Sequence, residues 1–182
     1  MNNYEKLEEK IGYSFKDISL LITAMTHTSF ANELRVNKTD SYERLEFLGD
    51  AILEYIVSEY LFLKKKEYEE GKLTKLRASL VCEFTLSQIS ESLGYGDYVR
   101  LSKGEEQTGG RKRKSILCDL FESVLGALYT DFFWMMWRPG HCSTMQSQRF
   151  RSSARRMAES STMSLWRREV LNTTRFLYLM YL

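Results

Sequence analysis

Cysteine is scarce in this chain. Its three residues, Cys82, Cys118 and Cys142, are odd in number and far apart, a pattern that argues against a disulfide framework or a zinc cluster and fits reduced thiols. No apolar run is long enough to cross a bilayer, and the polar start Met1-Asn2-Asn3-Tyr4-Glu5 is no signal peptide. No membrane partner is expected, and a cytoplasmic location is. No stretch is rich in strand formers, so the domain reads as all-helical. The glycine-punctuated segment Leu101 to Gly110 lacks the spacing of a nucleotide-binding P-loop, and no nucleotide cofactor is expected.

What is present is unevenly distributed. A length of 182 residues leaves room for one domain and a small appendage, and 43% hydrophobic with 27% charged residues is ordinary for a soluble globular protein. The net charge of +2 hides an abrupt change of composition along the chain. Residues 1–131 carry 18 Lys and Arg against 22 Asp and Glu, whereas residues 132–182 carry 8 against 2. Every basic residue of the second part is arginine, and all three tryptophans and the one proline lie there too. Two regions are therefore expected, 1–131 and an atypical Arg-, Trp- and Met-rich tail over 132–182.

The first region is organised around Glu43-Arg44-Leu45-Glu46-Phe47-Leu48-Gly49-Asp50, continuing through Glu54. Read as a helix, Leu45, Leu48, Ile52 and Ile56 share an apolar stripe. Glu46, Asp50 and Glu54 recur at steps of four on another, where like charges repel by roughly 0.2–0.5 kcal/mol per pair. Gly49 lies inside the same helix and costs about 1 kcal/mol relative to alanine. A divalent cation at the acidic face would account for the carboxylates, and close approach of another backbone for the glycine. A solvated acidic face with a chance glycine is the competing reading.

Around it the chain reads as further helices. Residues 3–11 form a first, with Tyr4, Leu7 and Ile11 on one side and Gly12 closing it. Asp17 caps a second through Met25, and His27 to Glu33 follows as its end and a turn. His27 and Ser29 lack a third orienting group and an oxyanion hole, so a hydrolase triad is set aside in favour of a buried, hydrogen-bonded His27. Asp40 is placed to cap the central helix, with Glu43 as its capping-box partner, and Lys64-Lys65-Lys66 suit its C-terminus. One helical region spans Leu73 to Leu93, with Leu73, Leu76, Leu80, Phe84 and Ile89 as its core face and Arg77 paired or snorkelling among the leucines. Phe47 reads as core on composition. Arg111-Lys112-Arg113-Lys114 is either a solvated patch or a grip on a polyanion backbone.

The last helix of this region, Ser115 to Asp131, carries Asp119 and Glu122 three apart on one face. Two helices with spaced carboxylates are harder to dismiss than one. Hard oxygen donors of this kind select Mg²⁺ or Mn²⁺, and the lack of a nearby His or Cys set disfavours zinc.

The string from Glu43 to Asp50 resembles the signature of the ribonuclease III family, the double-stranded-RNA endonucleases. Leu21 to Ser29 with Ala31-Asn32-Glu33, then Leu73 to Thr85, then Lys103-Gly104-Glu105-Glu106, Gly109-Gly110-Arg111 and Ser115 to Asp119 are similar to its other motifs in order and spacing. The resemblance covers about residues 3–131. It implies an all-α endonuclease domain, a helical bundle that forms a homodimer, with Phe47 filling a socket on the partner subunit. Glu46, Asp50, Asp119 and Glu122 would occupy the four acidic positions. Glu46, Asp119 and Glu122 would hold Mg²⁺, with Mn²⁺ as a substitute, and Asp50 and Glu122 would be the catalytic pair. The implied reaction is hydrolysis of duplex RNA, such as ribosomal-RNA precursors, to 5′-phosphate and 3′-hydroxyl ends with short 3′ overhangs. The chemistry is reasonable: divalent ions about 3.5–4 Å apart can activate water, neutralise phosphoryl oxygens and stabilise the leaving alkoxide.

A family member of the bacterial type continues into a double-stranded-RNA-binding domain. After Asp131 no helix–three strands–helix pattern is found, so that module is expected to be absent or replaced. The hypothesis that 132–182 derives from another reading frame is motivated by the lost lysines; resequencing that returns an unbroken frame shared by close relatives would refute it. An Arg-rich extension that grips RNA is the alternative. Without the usual module the nuclease should be competent but weaker, and more dependent on low salt. A non-catalytic RNA-binding relative and a folded but inactive gene product remain as other readings; the presence of all four acids counts against the first.

Overall fold

The computed structural model describes residues 3–34 and 38–137. The expectations for the tail beyond Trp137, both the frame change and the Arg-rich grip, lie outside these residues. Two compact units are distinguished, Met1–Tyr129 and Thr130–Leu182. Among the described residues the fold is all-helical, its one β-type contact being an isolated parallel bridge between Thr26 and Arg100.

The first unit opens with α1 (Asn3–Ile11), which buries Leu7 and Ile11 and ends at Gly12 in left-handed conformation (φ 77°). Helix α2 (Ile18–Ala24) starts at Asp17, whose carboxylate accepts the Ser19 backbone N–H at 3.0 Å. The stretch expected to be a turn is instead α3 (Thr28–Glu33), because His27 acts as its N-cap: Nδ1 accepts the Ser29 N–H at 3.0 Å. Helix α4 (Glu43–Lys64) is the central helix, with Ile52, Leu53, Ile56, Val57 and Leu61 buried. Asp40 does not cap it. That residue closes a 3-10 turn, Lys38–Asp40, and the N-cap position falls to Tyr42, which makes no side-chain capping bond.

The expected single helix from Leu73 to Leu93 is two, α5 (Glu70–Leu80) and α6 (Glu83–Leu93). Side chains make the break. Thr85 Oγ1 and Cys82 Sγ both donate to the Ser79 carbonyl, at 3.1 and 3.3 Å, in place of the missing helical bonds. Re-phasing at this corner puts Thr85, Leu86 and Ile89 in the core and leaves Phe84 exposed, with no residue of α5 fully buried. The expected core roles of Phe84, Leu73, Leu76 and Leu80 therefore do not hold. The glycine-punctuated loop contains a short helix, α7 (Lys103–Gln107), capped by the Ser102 hydroxyl. Helix α8 (Lys114–Trp137) begins after it and runs beyond the expected end at Asp131.

The portion of α8 within the first unit is its spine. Ile116, Leu120, Val124, Leu125 and Leu128 are buried, and fully burying such side chains is worth about 1.5–3 kcal/mol each. Two buried serines fix its position: Ser123 Oγ donates to the Ala24 carbonyl at 2.9 Å, and Ser90 Oγ of α6 donates to the Leu117 carbonyl at 2.6 Å.

Candidate active site

Helices α4 and α8 meet glycine to backbone. A methyl group on Gly49 would overlap the Glu122 carbonyl, lying 2.6 Å from its carbon and 3.1 Å from Gly126 N. One on Gly126 would lie 3.0 Å from the Leu45 carbonyl carbon and 3.2 Å from Gly49 N. No Cβ is tolerated at that separation without moving a backbone. This crossing lets the acidic face of α4 reach the acidic face of α8. Gly49 was legible as a point of close approach; its counterpart Gly126 was not, although a glycine four residues after Glu122 inside an apolar helix was a usable signal.

The electrostatics record the approach. Glu46 is pushed up to about 7, first by burial and then by the charges of Asp119, Glu43 and Asp50. Glu122 is also pushed up to about 7, by burial and by Asp50, Glu46 and Asp119. Asp119 is raised by burial, with the hydrogen bond from Tyr42 pulling the other way. Carboxylates from the two helices thus act on one another, the charges of Asp50 and Asp119 raising both Glu46 and Glu122, a condition that a bound cation relieves.

The tightest set is Cys118, Asp119 and Glu122, whose ligand atoms lie within 4.8 Å of one another; Glu46 and Asp50 stand outside this trio. One thiol lies among the acids, short of the His or Cys set whose lack disfavours zinc. Burial and the neighbouring charges of Glu122 and Asp119 push the Cys118 thiol up, which disfavours a thiolate beside the acids in the metal-free protein. The donor set that remains is hard oxygen, which fits Mg²⁺ or Mn²⁺. Glu54, on the same stripe as Glu46 and Asp50, is engaged elsewhere: Arg77 Nε pairs with it at 2.8 Å and Arg77 also donates to Ser58 Oγ at 2.9 Å. That is the paired role expected of Arg77.

A polar wall backs the cluster. Tyr42, buried, donates its hydroxyl to Asp119 Oδ2 at 2.8 Å. The His27 ring meets the Tyr42 ring edge-on, with centroids 5.4 Å apart. Because a backbone N–H can only donate, His27 Nδ1 is an acceptor and its proton sits on Nε2; Ser29 Oγ also bonds Nδ1, at 2.7 Å, and itself accepts the Ser102 N–H at 3.1 Å. His27 is half-buried and hydrogen-bonded, its pKa lowered mainly by burial. Glu83, at the start of α6, adds its charge to those acting on Asp119 and Cys118. Tyr42, just before α4, and Glu83, from α6, carry no spacing signal, whereas Cys118 stands next to Asp119 and four residues before Glu122 on α8 and was open to a sequence reading.

Two other expectations concern the rim. Phe47, one residue from Glu46, is 81% exposed, and Tyr55, Phe62 and Leu63 of α4 are also exposed. Its compositional reading as core does not hold. The basic run is partly committed: Arg111 donates to Glu106 and to the carbonyls of Gly96 and Val99, and Arg113 pairs with Glu105. Lys112 and Lys114 are exposed, the latter with its ammonium 5.2 Å from the Phe84 ring centroid.

Residues 17–132 match a family model described as Ribonuclease-III-like. The chain is 52% identical over 131 residues to Ribonuclease 3 of Listeria monocytogenes serotype 4a (strain HCC23), covering 72% of this chain and 57% of that protein. To Ribonuclease 3 of Oceanobacillus iheyensis it is 54% identical over 125 residues, covering 69% and 55%. The chain thus spans little more than half the length of these curated relatives. A solved nuclease domain of ribonuclease III from Campylobacter jejuni, described as flexible in the region involved in dimer formation, superposes with a TM-score of 0.66 at 47% identity, covering 71% of this chain and 86% of that one.

Proposed function

Since the chain belongs to the ribonuclease III family, we propose that it is a divalent-metal-dependent endoribonuclease of double-stranded RNA. The observation that carries the reading is the approach of the two acidic faces at the Gly49–Gly126 crossing, where the charges of Asp50 and Asp119 raise the proton affinity of both Glu46 and Glu122. A silent binding module has no chemical need for that costly arrangement.

In this reading Glu46, Asp119 and Glu122 hold Mg²⁺, or Mn²⁺ in its place, and Asp50 and Glu122 are the residues closest to the chemistry. The bound cation supplies an activated water and charge neutralisation at the scissile phosphate. Glu46 and Glu122 must give up the protons that their carboxylates retain up to about pH 7, so cation binding strengthens as pH rises through that value. The Gly49–Gly126 contact fixes the spacing between the two acidic faces. Exposed Lys112 and Lys114 are available to duplex phosphates, and Arg111 and Arg113 shape the adjacent turn through their internal partners. Duplex RNA is read through shape, phosphates and 2′-hydroxyls.

The exposed Phe47 and the apolar residues along α4 are the surface on which a second copy docks. Two sites in a homodimer cut both strands, leaving 5′-phosphate and 3′-hydroxyl ends with a short 3′ overhang. The cellular role that follows is cytoplasmic processing of ribosomal-RNA precursors and other structured RNAs. No helix among the described residues is long and apolar enough to cross a membrane.

Incubation of the chain with long duplex RNA and Mg²⁺, then with EDTA, tests the proposal. Cleavage should require the metal and should be lost in Glu122→Gln with the helical circular dichroism retained. Cutting that persists in EDTA, or in that variant, would refute it.

A further inference from the structure

Tyr42 has no part in the acidic pattern, yet its side chain is hydrogen-bonded to it. Its hydroxyl donates to Asp119 Oδ2 at 2.8 Å, bridging the start of α4 and a carboxylate of α8. The tyrosine itself is immobilised from three sides. Its backbone N–H donates to the Thr26 carbonyl at 2.9 Å, its ring is buried, and it packs against the His27 ring in a T-shaped pair. His27 is in turn locked by two bonds from Ser29, whose hydroxyl is fixed by the Ser102 N–H.

We propose that Tyr42 is a positioning residue for Asp119, setting the rotation of its carboxylate so that the acidic cluster is pre-shaped for a divalent cation. The torsion that turns an aspartate carboxylate is broad and roughly two-fold. Without a donor on one oxygen the carboxylate plane samples rotations that turn its free oxygen away from the cation. Outer partners of this kind commonly account for about 10–100-fold in metal affinity. The proposal rests on the metal-site reading above and deepens it. It assigns to the residue just before the acidic string a role that its place as a helix N-cap does not require, since its side chain makes no capping bond.

The test is Mn²⁺ binding to the full chain, with no RNA present, followed by electron paramagnetic resonance. Tyr42→Phe keeps the ring and deletes only the hydroxyl. It should weaken Mn²⁺ binding by about 10–100-fold while circular dichroism and the thermal midpoint stay near wild type. Tyr95→Phe, which deletes a fully buried hydroxyl with no hydrogen-bond partner, should leave the affinity unchanged. In a double-mutant cycle, Tyr42→Phe should cause no further loss once Asp119→Asn is present. The same loss in that background would show a general structural effect and overturn the proposal, as would wild-type affinity in Tyr42→Phe. A wild-type chain that binds no Mn²⁺ would sink the metal-site reading and this proposal together, whereas binding that is indifferent to Tyr42 sinks this one alone.

Discussion

Replacing Gly49 with alanine sets two opposed effects against each other in one helix. In an exposed helix interior the change should stabilise by about 1 kcal/mol, from propensity alone. At Gly49 the new methyl would lie 2.6 Å from the Glu122 carbonyl carbon and 3.1 Å from Gly126 N. Ordinary carbon–carbon contact is about 3.5–4 Å, so α4 and α8 must part by roughly an ångström. The obstacle is backbone, with no flexible side chain to swing aside. Overpacking of this kind costs about 1–3 kcal/mol, occasionally more, and the upper end applies here. A net destabilisation of about 1–2 kcal/mol remains after the propensity gain, which lowers the thermal midpoint by several degrees. Gly71 is the internal control: it lies in α5 with nothing within 4 Å of its would-be Cβ, and alanine there should be neutral to stabilising. Gly126→Ala should resemble Gly49→Ala, and the double variant should lose less than the sum, because the helices need part only once. Thermal denaturation of the four variants decides the matter. A Gly49→Ala chain as stable as Gly71→Ala, with divalent binding intact, would refute the close-crossing account of the site.

Stability should depend on pH through the acidic cluster. Glu46 and Glu122 have folded-state values raised to about 7, so their contribution is fully present below the unfolded value near 4.5 and is lost as pH rises through about 7. Partial exposure and mutual coupling reduce this to on the order of 1–2 kcal/mol for the pair. Denaturant titrations in metal-free buffer should show this slope in the wild type and not in Glu46→Gln/Glu122→Gln; added Mg²⁺ should offset the loss above pH 7. Phe47→Ser removes an 81%-exposed ring and should change unfolding free energy by less than about 0.5 kcal/mol, yet shift sedimentation toward the monomer; unchanged self-association would remove Phe47 from the interface.

Regular features with a local cause were readable in the chain. The end of α1 at Gly12, the Asp17 cap and the extent of α4 follow from neighbours a few residues away, and the structure has them where expected. Features set by side chains reaching across a corner were not. The break between α5 and α6 has no Gly or Pro to announce it, because Thr85 and Cys82 make it by bonding Ser79. Asp40 lost the N-cap position because Tyr42 is held by Thr26 and Asp119.

By itself the sequence determined that carboxylates recur on one face of each of two helices, because a period near 3.6 is a local property of the backbone. Which of them share a site was a tertiary decision. Glu54 has the same spacing as Glu46 and Asp50 but is turned to Arg77, while Tyr42, from just before α4, and Glu83, from α6, join the cluster. The physical reason is that helix periodicity sets a direction around one axis only. The distance between two axes depends on what lies at their crossing, and here that is a pair of glycines far apart in the chain, Gly49 and Gly126, each leaving room for the other's backbone.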